Sequence, residues 1–445
     1  MRILWVKVGG LWPPDRGGRL RSVHTIAELG RRHEVIVVTT HAPGEDEVLT
    51  LPGAEAVVSL PYRLPKQGSP AFAKALVRSW ASPLPVDLWK ACVPALRDEV
   101  SRRLALGGVD VCVADFLAAW PNVPRTAVPT VLFEHNVEHA IWRRLARTEP
   151  RAIRRLLLGL EWRKMRRVEA RACAEADVTA AVSDTDRALL AEQTGAARIR
   201  AIPTGVDTAY FVPAATAVRP GRLVFTGSMD WYPNEDAVLH FIDAVLPLIR
   251  AEIPEVSVVV AGRNPSPHLV ASAASAGVEV TGTVDDVRPY LAEAAAAIVP
   301  LRVGGGTRLK IFEALAMGKA VVSTAVGAEG LPLEPGRHYL EADEPEAFAR
   351  AAIAVLRDPG LGRRLGAAGR AIVEERYSWA EAARHFEEVL HEAVAVRRAD
   401  TAERPDRRTT DDVSSARADV SEPSAHGPER SAISRGTIER VEGQS

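Results

Sequence analysis

Two series of short apolar, β-branched runs, each broken up by helical patterns, leave this chain few architectures to choose from. The first series is Ile3 to Val8, Glu34 to Thr39, Val109 to Ala114, Thr130 to Phe133 and Val178 to Val182. The second is Leu223 to Thr226, Ser257 to Ala261, Val278 to Thr281, Ala296 to Val299 and Ala320 to Ser323. Strands that alternate with helices pair in parallel, because each crossover helix returns the chain to the same end of the sheet. Each series therefore predicts an α/β, Rossmann-like, doubly wound domain. A length of 445 residues accommodates two such domains and a tail, and 47% hydrophobic content supplies their cores.

The expected boundaries follow from composition. An N-terminal domain should occupy residues 1–205 and a second one 206–377, with a joint near Thr204 to Val218. An amphipathic helix over 378–396, with Trp379, Phe386, Val389 and Leu390 on its apolar face, should close the fold. From about Arg397 the chain turns to Arg, Asp, Ser, Pro, Glu and Thr, so 397–445 reads as a disordered tail that buries too little apolar surface to offset its ordering entropy. Ligands of open parallel sheets lie beyond the carboxyl ends of the strands, so two such domains place a site in the cleft between them.

The most informative segment is Pro300-Leu-Arg-Val-Gly-Gly-Gly-Thr-Arg-Leu-Lys-Ile-Phe-Glu-Ala-Leu-Ala-Met-Gly318. A strand runs into Gly304, Gly305 and Gly306, then into a helix that Thr307 can cap. Consecutive glycines admit a ligand to bare backbone, and the helix amides point into the same space with the positive end of the macrodipole. Arg308 and Lys310 add two cations beside this seat, and Glu313 shares a helix face with Lys310. Such a seat suits a diphosphate, with the carboxylate left to accept hydrogen bonds from sugar hydroxyls, as a nucleotide-sugar would require. An ordinary strand-to-helix corner with surface Arg, Lys and Glu is the bland alternative.

Further along the chain the signals are thinner. His135 follows a strand end in Phe133-Glu134-His135-Asn136, where it could donate to a hydroxyl or relay a proton, or simply be packed. Asp285-Asp286 lacks metal-ligand spacing and reads as a helix N-cap, and no metal is expected. Arg143 to Arg171 carries eleven cations against Glu149, Glu161 and Glu169, with apolar residues at helical spacing. That stretch reads as one or two basic amphipathic helices interrupted at Pro150, either a solvated face or a dock for anionic membrane lipid. A formal charge of -1 gives no overall attraction to nucleic acid, which is not expected as a partner. Cys92, Cys112 and Cys173 show neither redox nor metal spacing and read as reduced core residues. The chain opens directly on a strand and no apolar run approaches about eighteen residues, so a cytoplasmic protein is expected, associated at most with the inner membrane face.

The glycine segment resembles the donor-binding signature of the retaining family 4 glycosyltransferases, enzymes of the GT-B fold, in the subset that reads GGGTRLK-x-x-E-A. The resemblance runs from Met1 to about Val394 and includes Val182-Ser183-Asp184 with Asp186, and Ile202-Pro203-Thr204-Gly205-Val206-Asp207-Thr208 with Phe211. It implies transfer of a sugar, with retention, from a nucleotide-diphosphate sugar to a sugar or lipid-linked acceptor, without a cofactor, in cell-surface polysaccharide or glycolipid synthesis. It further implies catalytic roles for His135, Arg308 and Lys310. Donor contacts are implied at Gly17, Gly18, Gly227, Gly262, Val284, Gly305, Gly306, Thr307 and Glu313. The closing helix should cross back onto the first domain.

Two departures stand out. The family's paired-glutamate motif needs Glu at position 305, where this chain has Gly305, and Ser228 stands where the family has an arginine after the first strand of the second domain. Arg308 and Lys310 are expected to take over the diphosphate. The missing glutamate leaves two other readings open, a non-catalytic nucleotide-sugar-binding partner of a polysaccharide assembly complex and a GT-B nucleotide-sugar epimerase.

Overall fold

The computed structural model describes residues 1–14, 17–43, 50–65, 68–214, 218–303 and 308–402. Seven parallel strands form the first sheet: β1 (Arg2–Lys7), β2 (Glu34–His41), β3 (Ala56–Pro61), β4 (Val111–Asp115), β5 (Thr130–Phe133), β6 (Val178–Ala181) and β7 (Ile199–Ala201), in the order β3-β2-β1-β4-β5-β6-β7. Six parallel strands form the second: β8 (Arg222–Thr226), β9 (Ser257–Ala261), β10 (Glu279–Gly282), β11 (Ala296–Val299), β12 (Ala320–Ser323) and β13 (Leu340–Glu341), in the order β10-β9-β8-β11-β12-β13. Both sheets reverse their winding direction once, between β1 and β4 and between β8 and β11. At such a switch point the adjoining loops turn to opposite faces and open a crevice.

The central strands carry unbroken apolar runs, because helices cover both sheet faces and remove the alternating pattern of half-exposed strands. One face of the first sheet packs Ile3, Trp5, Val113, Val131 and Phe133 into a core that also takes Phe386, Val389, Leu390 and Ala393. Those four residues belong to the last helix, Trp379–Ala402, which therefore rests on the first domain. The Phe386 ring lies 5.4 Å from Trp5 and 4.8 Å from Phe133, centroid to centroid.

This helix is longer than the expected 378–396. Arg397 donates to both carboxylate oxygens of buried Asp177, at 2.8 and 2.7 Å, so ordered structure passes the predicted tail boundary and reaches Ala402. Residues 403–445 lie outside the described residues. Between the domains Gly205 fits tightly against Trp379, where a Cβ would stand 2.5 Å from Cε3 of the indole, and Val206 N donates to Tyr377 O at 2.7 Å.

The basic stretch forms two helices, Glu138–Thr148 and Ala152–Glu175, separated at Pro150, which lacks the N–H needed to continue the first helix and stands just before Arg151, the N-cap of the second. Cys112 and Cys173 are buried, and all three cysteines are free.

Candidate active site

In the first domain, sheet register sets three residues in a row at the strand ends. Lys7 of β1 pairs with Asp115 of β4, and Asp115 with Phe133 of β5. The Asp115 carboxylate is fully buried and accepts from Trp5 Nε1 at 2.9 Å and Lys7 Nζ at 3.0 Å. Burial pushes this carboxyl up, but the Lys7 ammonium beside it more than reverses that and holds it well below the usual carboxylate range. Lys7 also donates to Ser22 Oγ and lies 4.2 Å from the Phe116 ring centroid.

His135 comes after β5 and is sandwiched among these groups. Its ring stacks on Phe116 at 3.8 Å and leans on Phe133 at 4.2 Å. Nε2 comes within 2.8 Å of Asp115 Oδ1, yet neither ring nitrogen nor that oxygen has a well-directed hydrogen-bond partner among the described residues. Burial drives the imidazole pKa down to about 3, Asp115 notwithstanding, so the ring is neutral at physiological pH. A neutral imidazole retains one donor and one acceptor for a hydroxyl.

Phe116 carries a positive φ of 72°, rare for an aromatic residue, and it is this turn that brings the ring beneath His135. Gly18 makes room for it, because a Cβ there would lie 2.6 Å from Phe116 Cζ. Gly17 begins the helix Gly17–Leu29 that carries Gly18, Arg21 and Ser22. Arg21, also buried, donates to Thr204 Oγ1.

Buried Glu134 and Glu169 and half-buried Glu138 form an acidic group next to this site. Glu169 accepts from the backbone amides of Glu138 at 2.7 Å and His139 at 3.2 Å and from the His139 ring, which anchors the helix start. Burial, reinforced by Glu169, pushes Glu138 up to about 7 and Glu134 well above its usual range. Glu138 and His139 thus open the helix Glu138–Thr148.

In the second domain, β8 and β9 end side by side. Thr226 pairs with Ala261, so Gly227 and Gly262 come next at the same level, and a Cβ on Gly262 would run into the Gly227 carbonyl. Directly beside Gly227 lies Lys310, which donates to Asn234 Oδ1 at 2.6 Å and sits 4.1 Å from the Phe225 ring centroid. Asn234 in turn donates to Ser228 O at 2.8 Å. A Cβ on Gly227 would approach Lys310 Nζ to 3.0 Å, so the missing side chain keeps a path open to the ammonium. Burial lowers the Lys310 pKa to about 7 and raises Glu313 to about 7 as well.

Arg308 leaves only 3% of its surface exposed and donates to Val326 O at 2.8 Å, with Glu329 at 3.6 Å. Another cation, Arg263 after β9, donates from Nε to Ser228 Oγ at 2.8 Å. Ser228 Oγ donates to Asp230 at 2.5 Å. Val284 is half-buried in the loop after β10, while Asp286 rather than Asp285 ties down the next helix by accepting from Arg288 N at 2.9 Å. Gly305, Gly306 and Thr307 lie outside the described residues.

A cavity of about 1520 Å³ lies between the two domains. Asn136, Ser183, Asp186 and Thr204 line it from the first domain, and Trp231, Arg308 and Glu329 from the second. His135 and Lys310 are not among the residues that line it, although His135 directly precedes the lining residue Asn136. Sequence reasoning does not single out Lys7, Asp115 or Asn234, although charged residues closing the apolar runs of β1 and β4 are a usable signal. No group of three or more His, Cys, Asp or Glu side chains among the described residues is arranged to hold a metal.

Two parallel, doubly wound domains meeting at a cleft constitute the GT-B fold. Glycosyltransferase models match in both halves of the chain. Residues 17–210 match the family described as Glycosyltransferase Family 4, and residues 220–358 match Glycosyl transferases group 1.

Solved structures share the fold at low sequence identity. Sucrose-phosphate synthase from Thermosynechococcus elongatus superposes with a TM-score of 0.66 at 17% identity, covering 88% of this chain and 100% of that one. Anabaena HepE in complex with UDP gives 0.59 at 12% identity, covering 88% and 100%. WaaG, a glycosyltransferase involved in lipopolysaccharide biosynthesis, gives 0.59 at 16%, covering 87% and 99%. No curated protein matches the sequence.

Proposed function

We propose that the chain transfers a sugar from a nucleotide-diphosphate donor to an acceptor hydroxyl, with retention of anomeric configuration. The observation that carries this reading is the convergence of Lys310, Arg263 and glycine backbone at the carboxyl ends of β8 and β9. Glycosyltransferase models match both halves of the chain, and HepE of the same fold binds UDP, which makes a uridine nucleotide the first donor to try.

In this reading Arg308 and Lys310, joined by Arg263, neutralise charge that grows on the departing diphosphate, the kind of preorganised electrostatics worth several kcal/mol. Gly227 and Gly262 let the donor approach the backbone, and the amides of Gly305, Gly306 and Thr307 would add donors. Gly17 and Gly18 face the donor from the first domain, and Val284 borders the base. Glu313 holds the ribose hydroxyls, while neutral His135 contacts a hydroxyl of the transferred sugar. The reaction requires no cofactor or metal. The product belongs to cell-surface polysaccharide or glycolipid synthesis, as with WaaG.

Incubation with a panel of nucleotide-sugars tests the reading, with nucleotide release measured with and without acceptor sugars and the product anomer assigned by proton NMR. Acceptor-dependent release with retained configuration is expected. Conversion of the donor sugar without acceptor would mean epimerisation, and binding without any turnover would mean a non-catalytic partner.

A further inference from the structure

The helical hairpin Glu138–Thr148 and Ala152–Glu175 presents aliphatic side chains to water where a soluble face would be polar. Ile153, Leu156 and Leu160 are 77%, 63% and 46% exposed, and their i, i+3, i+7 spacing puts them along one face of the second helix. Ile141 and Leu145, four apart on the first helix, are exposed too, and both also line the interdomain cavity. Exposed aliphatics thus stand both near the turn of the hairpin and at the mouth of the cleft.

The same turn is strongly basic. Residues 143–155 hold Arg143, Arg144, Arg147, Arg151, Arg154 and Arg155 against the single acid Glu149, in a chain whose net charge is only -1. Glu149 stands 3.8 Å from Arg154 and offsets one charge of the six. Contiguous exposed aliphatics mark an interaction surface, and when guanidinium forks border them the complementary partner is apolar below and anionic at the rim. An anionic lipid bilayer has that layering, with phosphates above acyl chains. No helix among the described residues is long and apolar enough to cross a membrane, so the contact would be at the surface.

We propose that the turn of this hairpin docks on anionic lipid bilayers, with Ile153 and Leu156 entering the acyl boundary and the arginines of 143–155 gripping headgroup phosphates. The proposal rests on the glycosyltransferase reading for its purpose, since docking there would open the cleft toward an acceptor hydroxyl borne on a lipid.

The test is sedimentation of the full chain with phosphatidylcholine vesicles and with vesicles that also contain phosphatidylglycerol. The expected result is binding to the anionic vesicles only, weakened on the order of 100-fold in the Arg151→Gln, Arg154→Gln, Arg155→Gln triple variant. The Ile153→Ser, Leu156→Ser variant should bind at least about tenfold more weakly. All five positions are at the surface, and an unchanged melting temperature shows that the variants fold. Equal binding to both vesicle types, or binding to neither, overturns the proposal. So does displacement by heparin with no effect of the Ile153 and Leu156 changes, which would make the partner a soluble polyanion. A nucleoside diphosphate thermal shift on the same samples keeps the two readings apart. A shift without vesicle binding removes the docking alone, and vesicle binding without a shift removes the donor site alone.

Discussion

Arg263 Nε donates to Ser228 Oγ at 2.8 Å, which sets a guanidinium beside the position where this chain lacks the arginine found in similar enzymes. The charge arrives from the next strand instead of the same loop. Register makes this possible, because Thr226 and Ala261 are paired neighbours and the residues two beyond each are side by side. Diphosphate binding is thus shared by Arg263, Arg308 and Lys310 in the proposed reaction.

Arg263→Ala should therefore lower turnover by roughly 10- to 100-fold, at the lower end of the loss of one preorganised donor. Arg263→Lys should restore part of it, because charge returns without the fork. Steady-state kinetics with the donor found in the nucleotide-sugar panel measure both, and wild-type turnover in Arg263→Ala would confine the residue to holding Ser228.

Proton uptake should accompany nucleoside diphosphate binding. Free Lys310, with a pKa of about 7, is about half deprotonated at pH 7. A bound anion favours the ammonium, raises that pKa and draws in a proton, whereas well below pH 7 the lysine is already charged and uptake vanishes. Glu313, also near 7, would release a proton if ribose hydroxyls stabilise its carboxylate, so the two effects oppose each other. Calorimetry in buffers of different ionisation heat should find an uptake of at least about half a proton in Glu313→Gln at pH 7. None should remain when Lys310→Ala is added.

His135 contributes as a neutral ring, since burial holds its pKa at about 3. The pH profile of turnover should show no limb near 6.5 that disappears on mutation of His135. His135→Ala should lower turnover strongly with little change in nucleotide affinity, and His135→Asn should recover part of it through its amide. Equal loss of nucleotide binding would assign the residue to folding.

Gly18→Ala tests how that ring is seated. A methyl group 2.6 Å from Phe116 Cζ forces the phenyl to shift, and with it the stack under His135. The expected cost is about 1–3 kcal/mol of stability together with reduced turnover, read by chemical denaturation and kinetics. Unchanged stability would mean that the pocket yields freely.

Two truncations bracket the end of the last helix. Ending the chain at Ala402 should leave melting temperature and turnover nearly unchanged, whereas ending it at Val396 removes Arg397 and leaves the buried Asp177 carboxylate only the Thr130 amide and hydroxyl, with its charge uncompensated, at a cost of about 1–3 kcal/mol. Equal melting of the two truncations would show that the Thr130 contacts suffice for Asp177.

The two-domain architecture is readable in the sequence because fully buried strands stand out as unbroken apolar runs; β5, β9, β11 and β12 match their runs residue for residue. The three strands without such a run lie at sheet edges. Ile199–Ala201 and Leu340–Glu341 are too short to show any period, and Ala56–Pro61 is partly exposed, so polar and proline positions interrupt it. In the site, Lys310 and Glu313 are legible because a helix fixes which residues three apart share a face. The partners of Arg263 and Asp115 are not, since each is reached across paired strands: 35 positions separate Arg263 from Ser228, and 108 separate Asp115 from Lys7. Composition alone puts Arg397 in the tail, although one buried carboxylate suffices to hold a helix turn that propensity leaves undecided.

The central claim is that Arg308 and Lys310 bind the leaving diphosphate. Steady-state kinetics and nucleoside diphosphate calorimetry on Arg308→Ala, Lys310→Ala and Glu313→Ala test it most directly. The account predicts that each cation variant loses roughly 100-fold or more in turnover, while Glu313→Ala weakens donor and nucleotide alike and raises KM more than it lowers kcat. Near-native turnover in both cation variants, at intact melting temperature, would contradict it and move the diphosphate elsewhere in the cleft.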